Sequence, residues 1–176
     1  MHSDNLSGAV NQQERLDAYI AGFVDGEGSF SVSIQRNPSC RVGWQLRPEF
    51  HVSQNPERKV VLEIIQARLG CGIIRENHSG TRDTSLVLVV RRRTDLALRV
   101  VPFFEAHPLM SPKHQDFLAF ADIVRRMDEG VHLTTEGFFE LRRLALSMNG
   151  GGRYRRVHVM CPESSETICR TPGVPW

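Results

Sequence analysis

The chain has 176 residues, 40% of them hydrophobic, and a formal net charge of only +2. That is enough for one globular domain with a sizeable core. Neither an apolar run of membrane length nor a signal-peptide pattern is present, which points to a soluble intracellular protein with no membrane partner. The near-neutral total hides an uneven distribution. Residues 1–28 carry one Arg against five acids, and residues 29–93 carry eleven Lys or Arg against five acids. A basic middle of this kind suits a surface facing a polyanion, although a solvated charged face gives the same count.

Residues 1–13 are polar and read as a flexible N-terminal segment. From Glu14 to Gly26 the apolar residues Leu16, Ile20, Phe23 and Val24 fall at helical spacing on one face. Ala18, Gly22 and Gly26 line up on a second stripe. Small residues in that register admit a close backbone neighbour, either this chain's own sheet or another helix. Asp25 and Glu27 follow at the helix end among glycines, where the macrodipole disfavours carboxylates. Two compensations are open: backbone N–H donors for Asp25, or a cation held by the Glu27 carboxylate and a nearby carbonyl. Such hard ligands suit Mg²⁺ or Ca²⁺. One carboxylate holds such an ion poorly, whereas two copies across a dyad would hold it better.

Ser29–Gln35 alternates, with Phe30, Val32 and Ile34 on one face and serines and Gln35 on the other. Asn37-Pro38-Ser39 is turn chemistry. Gln45–Gln54 forms a return strand with Leu46, Phe50 and Val52 inward, and Pro48 marks a bulge or an unpaired position. The outward residues Ser31, Ser33, Gln35, Asn37, Gln45, Arg47, Glu49 and His51 make a hydrogen-bonding face, either simply solvated or lying along a DNA groove. Arg and Gln match guanine and adenine edges and Glu accepts from cytosine, which supports groove readout. A nine-residue strand of this kind spans ~30 Å, or roughly nine base-pair steps. Residues 57–69 form an amphipathic helix between Pro56 and Gly70. A second strand pair follows at 72–77 and 85–92 around Ser79-Gly80, and Arg75 and Asn77 extend the same polar face.

Helical stretches near 95–106, 112–128 and 135–148 complete the chain, opened by Ser111-Pro112 and by Thr134-Thr135-Glu136 in the last two cases. The order is α-β-β-α-β-β-α-α, an α+β pattern with an antiparallel sheet covered on one face. From residue 149 the composition changes to a Gly, Arg and Pro tail containing Arg153, Arg155 and Arg156. The domain therefore spans 14–148 and the tail 149–176. Cys40, Cys71, Cys161 and Cys169 lack CxxC spacing and histidine partners at zinc-finger distance, so they read as free thiols, with Cys71 in the core. Twenty of the twenty-two basic residues are Arg. This bias suggests a GC-rich coding sequence and hence a bacterial cytoplasm or nucleoid rather than an organelle.

The segment Ile20-Ala21-Gly22-Phe23-Val24-Asp25-Gly26-Glu27-Gly28 resembles the motif of LAGLIDADG homing endonucleases, and the likeness extends from about residue 14 to 148. The motif occurs once, and single-motif members of that family are homodimers. The resemblance implies a saddle-shaped sheet in the major groove of double-stranded DNA and motif helices at the dimer interface, with Ala18, Gly22, Asp25 and Gly26 in that contact. It implies a Mg²⁺ ion at Glu27 with the Gly26 carbonyl assisting, a site where Ca²⁺ binds without supporting cleavage. Gln54 and Arg58 match polar residues near the scissile phosphate, and Lys113 matches a basic residue ahead of a helix, with His114 as its rival. The implied activity is a metal-dependent double-strand break in a long pseudo-palindromic site, serving intron homing. The alternative is an intron RNA maturase or a non-cleaving DNA-binding regulator on the same fold.

Overall fold

The computed structural model describes residues 3–77 and 84–151. Helix α1 (Ser3–Glu27) runs directly into β1 (Gly28–Arg36), which returns as β2 (Trp44–Gln54). A 3-10 turn (Pro56–Arg58) leads to α2 (Lys59–Leu69), closed by Gly70 in the left-handed region at φ 66°. Strands β3 (Ile73–Glu76) and β4 (Leu86–Val90) follow. Next come α3 (Arg93–Asp95), a π-helical stretch (Leu96–Val100), α4 (Val101–Ala106), α5 (Lys113–Asp128) and α6 (Thr135–Gly151). The four strands make one antiparallel sheet in the order β1-β2-β4-β3.

The order of elements is the expected one, and four details differ. Helix α1 begins at Ser3 rather than near Glu14; no proline and only Gly8 interrupt that stretch, so the backbone continues as helix where a flexible segment was expected. The 95–106 helix changes pitch, with the Val101 N–H reaching back to Leu96 O. Pro102 has no N–H to close the next turn, so the ladder widens ahead of it. Pro48 causes no bulge: it pairs with Val32 in an unbroken register from Gly28↔Val52 to Arg36↔Trp44. Strand β4 meets β2 only between Phe50 and Gln54, so no strand on that side needs a bond from Pro48. Finally, α6 leaves helical geometry at Met148, and Asn149 is tied back to the fold by donating from Nδ2 to Phe30 O and from its N–H to Asp116. The expected Ser79-Gly80 turn and the Arg153, Arg155 and Arg156 cluster lie outside the described residues.

One face of the sheet carries the core. Phe30 is its hub: the ring lies 5.2–5.4 Å from those of Phe50, Phe104, Phe117 and Phe120, which come from β2, α4 and α5. Phe30 stands three residues after Glu27, so this aromatic cluster fixes the strand that leaves the tip of α1. Such ring pairs contribute about 0.5–1.5 kcal/mol each beyond area burial. Cys71 is partly buried against the core, and burial pushes its thiol up to about 11.

On the other flank, Asp17 of α1 is 4% exposed. Its Oδ1 and Oδ2 accept from Arg68 Nε and Nη2 of α2 at 2.6 and 2.8 Å, and Gln13 and His107 lie against the same carboxylate. The Arg68 guanidinium also lies 5.3 Å from the centre of the Phe103 ring. The bonds from Arg68 hold the Asp17 carboxyl below its ordinary range, against the opposing effect of burial. A depressed folded-state pKa stabilises fully above the ordinary carboxylate value, and that contribution is lost as pH falls through the folded value. Arg68→Met is therefore expected to destabilise the fold by about 2–3 kcal/mol in urea unfolding at neutral pH. The difference from wild type should shrink as pH falls from the ordinary carboxylate range toward the lowered folded-state value of Asp17.

Candidate active site and nucleic-acid interface

The end of α1 concentrates unpaired carbonyls and two carboxylates, an arrangement the helix dipole opposes. The loop leading into α5 supplies the complement: the N–H groups of Met110 and Ser111 precede the helix, whose own first N–H groups bond Ser111 and Pro112. The two ends meet and exchange side chains. Asp25 Oδ2 accepts from the N–H of Met110 at 3.1 Å and of Ser111 at 2.9 Å, and Oδ1 accepts from Ser111 Oγ. In return, Lys113 Nζ donates to Val24 O at 3.0 Å and Asp25 O at 2.7 Å. Burial pushes the Asp25 carboxyl up, but the Ser111 and Met110 bonds and the Lys113 charge outweigh it and hold its pKa below the usual value. Burial pushes the Lys113 ammonium down, opposed by the charges of Asp25, Glu27 and Asp116.

Asp25 thus faces its own chain, through the backbone donors that sequence reasoning left as one of two options. Glu27, the last residue of α1, is exposed. A Cβ at Gly28 would come within 2.6 Å of Val24 Cγ1 and 2.8 Å of Val24 O, so only glycine lets β1 leave the helix this tightly. Val52 lies opposite Gly28, which brings Gln54 to the same edge of the sheet as Glu27. Gln54 Oε1 accepts from the Asn55 N–H at 2.8 Å. Arg58 is exposed in the turn that follows. At the first turn of α5 it is Lys113, not His114, whose side chain reaches the α1 tip; the His114 ring is 6.1 Å from that of Phe117. Among the described residues no three His, Cys, Asp or Glu side chains gather at one point. The tip offers hard oxygen donors, but only one exposed carboxylate and the Gly26 carbonyl, because Lys113 occupies those of Val24 and Asp25.

Along α1, Ile20 and Val24 are fully buried, whereas Ala18, Gly22 and Gly26 are exposed. A Cβ built on Gly22 or Gly26 meets nothing within 4 Å. Nothing within the described chain therefore requires glycine at either position. Tyr19 is half exposed beside this stripe, and Met110 is 98% exposed in the loop bonded to Asp25.

The opposite face of the sheet is polar and internally bonded over β1 and β2, and carries Val87, Val89 and Ile73 over β4 and β3. Register places Ser31 across from Glu49, Ser33 across from Arg47, and Gln35 across from Gln45. Arg47 Nη1 donates to Gln35 Oε1 at 2.9 Å, Asn37 Nδ2 donates to Gln45 Oε1 at 3.1 Å, and Arg91 Nε donates to Glu49 Oε2. His51 Nδ1 lies 3.5 Å from Glu49 Oε1, and burial lowers its pKa, so the ring is neutral at pH 7. Arg75 lies on this face opposite Val87, and Asn77 Nδ2 donates to Ser85 Oγ at 3.3 Å. Arg91 and Ser111 were missed in the sequence. The run Arg91-Arg92-Arg93 was a visible signal, but only the pairing of β2 with β4 brings Arg91 beside Glu49.

The sequence model of the LAGLIDADG endonuclease family matches residues 20–124. A probable intron-encoded endonuclease of Neurospora crassa is 35% identical over 136 residues, covering 76% of this chain and 29% of that protein. Among solved structures, the homing endonuclease I-TnaI is 40% identical with a TM-score of 0.71, covering 77% of this chain and 88% of that one. The I-LtrWI LAGLIDADG homing endonuclease bound to target DNA is 31% identical with a TM-score of 0.73, covering 78% of this chain and 46% of that one. The chain belongs to the LAGLIDADG endonuclease family. It spans less than a third of the first curated relatives it matches, 29% and 26% of their lengths. No described helix is long and apolar enough to cross a membrane. The intron-encoded relatives do not favour the bacterial source that the arginine bias suggested.

The exchange between α1 and α5 is expected to dominate local stability. Asp25→Ala should cost about 2 kcal/mol or more in urea unfolding, because it strands two backbone donors and a hydroxyl. Glu27→Gln, at an exposed position two residues away, should change stability by no more than about 0.5 kcal/mol.

Proposed function

We propose that the protein is a site-specific DNA endonuclease that acts as a homodimer, each copy reading half of a long duplex site. The observation that carries this reading is the exposed stripe of Ala18, Gly22 and Gly26 ending at Glu27, beside the partly buried Lys113. Two glycines with open space on this chain suit the close approach of a second α1. Such a crossing brings the two Glu27 carboxylates together, where the described residues of one chain gather no three such ligands by themselves. Glu27 and the Gly26 carbonyl of each copy would hold Mg²⁺. When bound, that ion supplies Lewis-acid polarisation of the scissile phosphate and lowers the pKa of a water nucleophile.

The chain's own groups do the rest. Lys113 has three donors and uses two on Val24 O and Asp25 O, which leaves one for a phosphate oxygen or the attacking water. Its lowered pKa eases proton release relative to a solvated lysine. With Oε1 engaged by the Asn55 N–H, Gln54 presents its amide NH₂ as a donor. Arg58 contributes fixed positive charge at the same edge of the sheet. The polar sheet face and the basic middle of the sequence supply the duplex-binding surface. A break made by this site in an intronless allele would serve the mobility of the host intron.

Two experiments test the reading. Duplexes recovered from a random-sequence pool by the full chain should be cleaved with Mg²⁺, bound without cleavage with Ca²⁺, and left intact in EDTA. Glu27→Gln should bind them within about threefold of wild type and cleave none; unchanged cleavage would sink the metal assignment. For the dimer, Gly22→Leu should leave the melting temperature of the monomer unchanged or raised, since leucine is the better helix former by about 0.8 kcal/mol. In sedimentation it should shift the protein to monomer, and a variant that still sediments as a dimer argues for a different interface.

A further inference from the structure

The hydrogen bonds on the polar sheet face have a common direction. Glu49 Oε2 accepts from Arg91 Nε, Gln35 Oε1 accepts from Arg47 Nη1, and Gln45 Oε1 accepts from Asn37 Nδ2. These carboxylate and amide acceptors of β1 and β2 are thus engaged by Arg47, by Arg91 and, from the turn after β1, by Asn37. What the face then presents outward is donor capacity: guanidinium edges of Arg47 and Arg91 and the amide NH₂ of Gln45. Arg47 is exposed, and the Arg91 side chain is 54% exposed. The Arg91 bond uses Nε, so its Nη1–Nη2 edge is not part of that bond.

We infer that Arg47 and Arg91, each held in place by an acceptor of its own sheet, read two guanines in each half-site, and that Glu49 positions Arg91 instead of accepting from cytosine. This rests on the proposed reading of the sheet as a DNA-binding face. Guanine is the base that offers two acceptors, N7 and O6, on its major-groove edge, and a guanidinium edge matches both. The tether matters because a long side chain loses conformational freedom when it binds, and less is lost when it is already oriented. Neutral His51 beside Glu49 leaves the Arg91 guanidinium as the cation that balances that carboxylate. Arg91 continues β4 past the Phe50↔Val90 pair, which sets it across from Glu49, two residues along β2 from Arg47. Two residues of strand advance ~6.8 Å, about two base-pair steps at ~3.4 Å each. The two guanine preferences should therefore fall about two positions apart.

The test is selection of binding sites from a random duplex pool, in Ca²⁺, with the full chain and with Arg91→Ala, Arg91→Lys, Glu49→Ala and Arg47→Ala. Wild type should enrich duplexes with two guanine-specific positions per half-site. Arg91→Ala should lower guanine preference about tenfold or more at one of them only, and Arg47→Ala at the other. Arg91→Lys should keep the positive charge but lose the guanine preference at that position, because an ammonium lacks the forked edge. Glu49→Ala should relax the same position as Arg91→Ala, which a merely structural role would not do selectively. Three results overturn the inference: a uniform loss of affinity in Arg91→Ala, a relaxed cytosine position in Glu49→Ala, or enriched sites without guanine. Failure of wild type to enrich any duplex would instead overturn the proposed function itself.

Discussion

The structure depends on one reciprocal exchange between helix ends. The tip of α1 has more negative charge than its dipole tolerates, and the loop leading into α5 has N–H groups at Met110 and Ser111 that need an acceptor. Asp25 spends its carboxylate on the second problem and Lys113 spends its ammonium on the first. Residues 85 to 89 apart in sequence are thereby fixed within hydrogen-bond distance. The exchange removes one of the two carboxylates from the electrostatic conflict and leaves Glu27 exposed beside a lysine held by two carbonyls. The position of the candidate catalytic group is thus a consequence of how two helix termini satisfy each other.

The sheet serves that arrangement from both faces. Phe30, three residues beyond Glu27, is the centre of the aromatic core, so the strand leaving the tip is anchored by its apolar side. Its polar side carries the serines and Gln35 that pair with β2. Asn149, from the last helix, closes the arrangement by bonding Phe30 O. A single nine-residue strand therefore links the candidate cleavage site, the core and the candidate duplex surface. The Asp17–Arg68 pair holds α1 to α2 on another flank, so the helix that bears Glu27 is fixed from two directions.

The elements and the motif were legible in the sequence because both are carried by local pattern. Alternation of Ser29–Gln35, the turn chemistry of Asn37 and the Thr134 cap each act within a few residues; Asn37 Oδ1 accepts the Ser39 N–H, and Thr134 Oγ1 accepts the Gly137 N–H. The candidate site was legible in part. Glu27, Gln54 and Lys113 were named from a motif and its context, and strand register and helix contacts bring all three to one edge. The helical state of residues 3–13 was obscured by their polarity, with only Leu6, Ala9 and Val10 apolar among them. Asp17 and Arg68 carried no visible signal, since an Asp on an apolar helix and an Arg on another are ordinary until they meet.

Sequence alone determined which residue types stood where: an acidic helix end ringed by glycines, a stripe of small residues, one amphipathic strand pair followed by a second pair, and a lysine in an arginine-rich chain. Those are properties of spacing, and spacing is readable in one dimension. Tertiary structure decided which of two carboxylates was left exposed, which carbonyls Lys113 took, and which side of Glu49 was already occupied by Arg91. Each of these is a choice between hydrogen-bond partners far apart in the chain. Such choices are settled by which groups the fold brings within about 3 Å, a distance that no local pattern encodes.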